Sequence, residues 1–150
     1  MAKTISIHKA NLSDVNLVAE LQCMLWPGHT LEEMQHEANK SIASGDGALF
    51  IARIDNIPVG FAECRLRRDY VEGTHTSPVG YLEGIFVRPE NRRQGIGLKL
   101  ARHCEQWAKR QGCFEFASDC ELANTESIAF HSKVGFNEIN RIVCFTKSLP

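Results

Sequence analysis

The stretch Leu82-Glu83-Gly84-Ile85-Phe86-Val87-Arg88-Pro89-Glu90-Asn91-Arg92-Arg93-Gln94-Gly95-Ile96-Gly97-Leu98 decides the fold. It reads as an apolar strand, a charged turn, and then two glycines opening an amphipathic helix. From Gly95 onward Ile96, Leu100, Cys104, Trp107 and Ala108 recur at helical spacing. Glycines at a helix start let the main chain approach a ligand closely. The first amides of a helix lack internal partners, and the macrodipole puts partial positive charge beside them. Arg92 and Arg93 add full charges at the same place, so the turn is a seat for a diphosphate.

Two familiar phosphate loops do not fit. A Walker loop needs Lys-Ser or Lys-Thr after its last glycine, and neither is present. A dinucleotide fingerprint needs a third glycine where Leu100 stands. What remains, Val87-x4-Arg92-x2-Gly95-x-Gly97, resembles the coenzyme-A signature of the GNAT family of N-acetyltransferases.

The chain has 150 residues, enough for one compact domain spanning 1–150, with 43% hydrophobic and 23% charged residues. A net charge of −1 argues against a nucleic-acid partner held by backbone neutralisation. No apolar run reaches the ~20 residues of a membrane span, and Met1 to Ser6 lacks the apolar core of a signal peptide. The cysteines at 23, 64, 104, 113, 120 and 144 show no Cys-x-x-Cys spacing, and the histidines are scattered. Reduced thiols, a cytoplasmic location and no metal are therefore expected.

Thr4–Lys9 alternates as a first strand. Leu17, Val18, Leu21 and Leu25 mark a helix ending at Trp26-Pro27-Gly28, and Thr30-Leu31-Glu32-Glu33 is a capping box for a second. Strands Ala48–Ile54 and Ile57–Leu66 flank a hairpin turn at Asp55-Asn56. A polar loop, Asp69–Ser77, precedes the strand Tyr81–Val87. After the long helix come a short strand, Phe114–Ser118, a short helix, Ser127–Lys133, and two final strands within Phe136–Lys147. The order β, α, α, β, β, β, α, β, α, β, β predicts an α/β (α+β) fold: a mixed twisted sheet with helices on both faces.

That order is similar to the GNAT fold over nearly the whole chain. Asn124 to Phe136, an Asn, a helix and then Gly-Phe, is similar to the family's late motif. Leu25-Trp26-Pro27-Gly28-His29, Asp69 to Gly73 with Ser77-Pro78-Val79, Phe116 to Asp119, and Leu82 to Val87 look like the aminoglycoside 6'-N-acetyltransferases. The resemblance implies acetyl transfer from acetyl-CoA to an antibiotic amine, a polycationic acceptor, and a homodimer.

An ammonium cannot attack a thioester. With a lysine-like pKa, forming the neutral amine at pH 7 costs up to ~4–5 kcal/mol. Glu83, an acid in an otherwise apolar strand, is the candidate proton acceptor, unless it only faces water. Asp119, at a strand end, can hold another ammonium or merely cap a turn. Trp26 and Tyr70 suit stacking on amino-sugar rings, though Trp26 also continues an apolar helix face. Glu138 can supply an acid that relatives carry at the position of Asn140. His29 and His75 fall in substrate loops.

The resemblance further implies pantetheine bonded to the backbone of Ile85, Phe86 and Val87 and to Asn124. Pyrophosphate would lie over Gln94, Gly95, Ile96, Gly97 and Leu98, with Arg92 and Arg93 in reach. Where many members carry a tyrosine thought to protonate the leaving thiolate, this chain has His131, a possible acid or a packing residue. Two alternatives stay open: another amine acceptor, such as a protein N-terminus, polyamine or small metabolite, and a non-catalytic acetyl-CoA-binding module.

Overall fold

The computed structural model describes residues 2–150; Met1, the first residue of the expected domain, lies outside them. Five strands form one sheet in the order β1-β2-β3-β4-β5, namely Ile5–Lys9, Gly47–Ile54, Ile57–Arg67, Val79–Val87 and Phe116–Ser118. The first four pair antiparallel, and β4 and β5 pair parallel. Helices α1 (Val15–Leu25) and α2 (Leu31–Ala43) cover one face, packing Val18, Leu21 and Ala38 on Leu49, Ile51 and Phe61. Helix α3 (Ile96–Arg110) covers the other, burying Ile96, Leu100, Cys104 and Trp107 against Phe50, Ala52, Ala62 and Leu82. Alternate strand residues thus feed two cores, as a sheet covered on both sides requires. Helix α4 (Thr125–Lys133) follows β5.

The local signals act where expected. Asp55 and Asn56 take positive φ, 49° and 70°, as a two-residue hairpin turn demands. Thr30 Oγ1 accepts from the Glu33 amide at 3.1 Å, and Glu33 accepts from the Thr30 amide at 3.2 Å, closing the capping box. All six cysteines are free thiols.

The two expected final strands are a correction: residues 136–150 form no regular element. Alternation alone does not make a strand, because ladder bonds and cross-strand packing supply its stability. Beyond Phe136, which stacks on Phe116 at 5.7 Å, the segment has no ladder, and Ile139, Ile142, Val143, Phe145 and Leu149 are exposed. Boundaries elsewhere shift modestly: β4 begins at Val79, β5 at Phe116 and α4 at Thr125.

Candidate active site

Two features of β4 organise the site. The first is a register break against β3. Glu63 faces Gly84 and Cys64 faces Leu82, which leaves Glu83 with no partner across the ladder. Such a bulge re-aims one side chain. Glu83 enters a cavity of about 520 Å3 whose walls include Gln22, Trp26, Glu37, Glu63, Arg65 and Arg67. The second is a fork. β5 pairs with β4 only from Gly80 to Leu82, so from Glu83 to Val87 β4 has no strand on that side. Backbone groups along the free edge, which includes Ile85, Phe86 and Val87, have no strand partner on that side and are open to an extended ligand.

Glycine shapes both sides. At Gly84 a Cβ would stand 2.7 Å from the Trp26 ring, so only glycine lets the indole lie across β4 beside Glu83. Trp26 also meets Phe61 edge-on at 6.1 Å, so it is at once cavity wall and core.

Glu83 is not a free acid. Arg67 Nε donates to one carboxylate oxygen at 3.0 Å and Nη2 to the other at 2.8 Å. The same guanidinium lies over the Tyr81 ring, 3.4 Å from its centroid. The Tyr81 hydroxyl donates to Asp119, so one chain of contacts joins the two acids. The bond to Glu83 raises the Arg67 pKa further, and burial followed by the Asp119 bond raises that of the Tyr81 phenol.

Glu63 lacks such a partner. It is 6% exposed, and burial pushes its carboxyl up to about 7. Arg65 opposes that shift, while Glu83 and Glu37 add to it. Gln22, 1% exposed in the same cavity, has a side-chain oxygen with no hydrogen-bond partner. Sequence reading singled out Glu83 as an acid in an apolar run. The same signal stood at Phe61-Ala62-Glu63-Cys64 and was missed, together with Gln22, Arg67 and Tyr81.

Of the other expected acceptor residues, Tyr70, Asp119 and Glu138 lie outside that cavity. Tyr70 is 80% exposed, its hydroxyl 3.4 Å from Glu72. Glu138 pairs with Arg141, which lowers its pKa. Their segments touch, since Asn140 donates to Glu72 at 3.1 Å and Ile139 packs against Gly73. The Glu115 carboxylate secures the 69–77 loop by accepting from the amides of His75 and Thr76, each at 2.8 Å. His29 lines the cavity and lies 3.2 Å from Glu33.

The coenzyme side is built mainly from backbone. Gly95 holds φ +78° at the α3 N-cap, a left-handed conformation suited to glycine. The first backbone bond of α3 runs from the Lys99 amide to the Gly95 carbonyl, 3.1 Å, leaving the amides of Gly95, Ile96, Gly97 and Leu98 without helical acceptors. A Cβ on Gly97 would meet Phe130 of α4 at 2.9 Å. Arg92 Nε donates to the Val87 carbonyl at 2.8 Å, fixing the turn while its head stays exposed. Arg93 and Gln94 are exposed as well. These free amides, flanking cations and open strand edge fit the diphosphate and pantetheine of coenzyme A.

Asn124 caps α4, its oxygen accepting from the Ser127 amide at 3.1 Å, so its amide nitrogen remains the group available to a ligand. His131 Nδ1 lies 2.7 Å from the Ser127 carbonyl, which can only accept, so that nitrogen carries a proton. Nε2 lies 2.8 Å from Ser118 Oγ, whose one hydroxyl proton is shared between that nitrogen in the neutral ring and the Leu82 carbonyl at 3.1 Å. Ser118 pairs with Leu82 at the last rung before the fork. His131 also packs on Phe130 and Phe136.

Among the described residues no group of His, Cys, Asp and Glu could hold a metal ion, and no helix is long and apolar enough to cross a membrane.

Comparison with known proteins agrees with this geometry. The model of the "Acetyltransferase (GNAT) family" matches residues 15–136. An aminoglycoside N(6')-acetyltransferase type 1 from Acinetobacter baumannii is 43% identical over 144 residues, 95% of this chain and 96% of the relative. One of the same name from Stenotrophomonas maltophilia is 39% identical over 150 residues, covering 99% and 97%. The solved structure of AAC(6')-Iy with the bisubstrate analog CoA-S-monomethyl-acetylneamine superposes with TM-score 0.93 at 34% identity, covering 97% of this chain and 99% of that one. With its forked sheet and glycine-opened helix, the chain belongs to the GNAT family of acetyltransferases.

Proposed function

We propose that the protein transfers the acetyl group of acetyl-CoA to the 6'-amine of aminoglycoside antibiotics, by direct attack, and so gives resistance. The observation that carries this reading is Glu83, an acid displaced from its ladder at the fork of the sheet, in a cavity next to the coenzyme seat. The names of the relatives support the acceptor class.

Bound acetyl-CoA supplies an activated thioester. The amides of Gly95 to Leu98, with Arg92, Arg93 and Gln94, hold its diphosphate. The backbone of Ile85, Phe86 and Val87 and the Asn124 amide hold its pantetheine arm. A main-chain amide of β4 polarises the thioester carbonyl. Trp26 and Tyr70 receive sugar rings; Asp119 and Glu138 receive further ammonium groups. The reactive ammonium displaces Arg67 from Glu83 and gives that carboxylate one proton, directly or through water. The neutral nitrogen then attacks the carbonyl carbon, and the C–S bond breaks with its electron pair on sulfur. A second proton leaves nitrogen as the amide forms, is held on His131 Nε2 by way of the Ser118 hydroxyl, and returns by the same route to the thiolate.

The free thiols support action in the cytoplasm. We also propose a homodimer, supported by the exposed apolar side chains between Ile139 and Leu149.

Thiol release measured with acetyl-CoA and kanamycin-type compounds tests the reading. Turnover is expected with a 6'-amine and absent with a 6'-hydroxyl. Equal turnover of both overturns the regioselectivity, and turnover of neither overturns the antibiotic acceptor.

A further inference from the structure

Glu63 and Gln22 are the two most deeply buried polar side chains in the acceptor cavity, at 6% and 1% exposure, and neither is used by the chemistry above. Their placement is specific. Glu63 sits opposite Gly84 at the register break that frees Glu83, so the same irregularity in the ladder brings both acids to one cavity. The two acids differ in their partners. Both oxygens of Glu83 are engaged by Arg67, so they are occupied until that guanidinium moves. No side-chain hydrogen bond to Glu63 accompanies its burial. Gln22 offers a buried oxygen that lacks a donor, and burying such an acceptor is costly unless something supplies a proton to it.

We propose that Glu63 is the final acceptor of the proton that the reactive amine gives up. Glu83 touches the amine, and the proton passes on through cavity water to the Glu63 carboxylate. The acid form of Glu63 is a donor, and Gln22 Oε1 is the acceptor waiting for one. The ammonium loses one proton, Glu63 gains it, and Glu63 returns it to solvent when the product leaves. Burial brings its pKa to about 7, near the optimum for a base that works at neutral pH. The charged groups around it are Arg65 and Arg67 on β3, Glu83 on β4, Glu37 on α2 and His29 on the loop between the helices; α1 contributes the uncharged Gln22 and Trp26. Glu63 must be ionised to accept, so activity falls as pH drops through about 7.

The inference rests on the acetyl-transfer reading. The experiment is a pH profile of kcat at saturating acetyl-CoA and 6'-amine for the wild type, Glu63→Gln and Glu63→Asp. Glu63→Gln is expected to lower kcat about 10- to 100-fold, remove the acid limb near pH 7, and change KM less than about threefold. Glu63→Asp, which keeps a carboxylate, is expected to retain the limb at reduced rate. Thermal unfolding gives a readout independent of turnover. The wild type should lose melting temperature between pH 4.5 and about 7, where residue 63 is ionised in the unfolded chain but still protonated in the folded one, and Glu63→Gln should lose less. A Glu63→Gln enzyme with full rate and an unchanged limb overturns the inference while leaving the acetyl-transfer reading intact. No turnover by the wild type overturns both.

Discussion

The two halves of the site are made of different material. On the side proposed for the coenzyme the available groups are chiefly main chain: free amides at the start of α3, an open edge of β4, and glycines that keep side chains away. On the acceptor side they come from side chains. Glu63, Glu83, Arg67, Gln22 and Trp26 reach one cavity from two strands and a helix with its cap. A diphosphate and a pantetheine arm are constant, so fixed backbone can serve them. Amine acceptors vary in shape and charge spacing, and side chains can be exchanged without disturbing the sheet. The acceptor half also holds an internal cation, Arg67, paired with Glu83, and on the proposed mechanism a substrate ammonium takes its place.

The largest effect should come from removing the acid at the junction of the halves. Glu83→Gln is expected to lower kcat/KM for the acceptor about 10²- to 10⁴-fold while leaving the affinity for coenzyme A within about twofold. A matched loss of coenzyme binding, read by calorimetry, would break the division between the halves. Gly97→Val tests the other half. Its branched side chain must displace Phe130, at a stability cost of about 1–3 kcal/mol. KM for acetyl-CoA should rise about 10-fold or more, since about 1.4 kcal/mol of lost binding is already tenfold. An unchanged KM for acetyl-CoA would show that the turn at 95–98 does not carry the diphosphate.

These two residues also show what the sequence could and could not reveal. Gly97 and the helix it opens were legible because helical periodicity and a glycine at a helix start are local patterns. The capping box of α2 and the Asp55-Asn56 hairpin were legible for the same reason. Glu83 was legible as a charged residue in an apolar strand. Its neighbours in space were not: Gln22 sits on an amphipathic helix and Arg67 at a strand end, both ordinary places for such residues. The register of β3 against β4, with its skip at Glu83, and the packing of α1 on the sheet bring them together. Residues 136–150 fail in the opposite sense, since a strand-like pattern is present but nothing pairs with it.

The Arg67 exchange gives a smaller effect of the opposite sign. Arg67→Met removes the resident cation and leaves Glu83 open to the substrate. A half-exposed ion pair contributes up to about 1 kcal/mol, so KM for the acceptor should fall up to about fivefold. A rise in KM would mean that Arg67 shapes the cavity rather than competing for it.

The smallest effect belongs to the proton that reaches sulfur, and it decides whether His131 belongs to the chemistry or only to the packing. A thiol of pKa ~8.5 leaves tolerably as an anion, so a proton donor accelerates its departure only modestly. The carbonyl of Ser127 fixes the proton on Nδ1, so the neutral ring has no second proton of its own to give. It can act only through the Ser118 hydroxyl at the fork. Ser118→Ala and His131→Asn should therefore each lower kcat by about 3- to 10-fold, and the double variant should be no slower than the worse single one, because groups acting as one relay are not additive. Multiplied losses would assign the two residues separate tasks. Full activity in Ser118→Ala with a lower melting temperature in His131→Asn would leave the imidazole as a spacer between Phe130 and Phe136 and pass protonation of the thiolate to water.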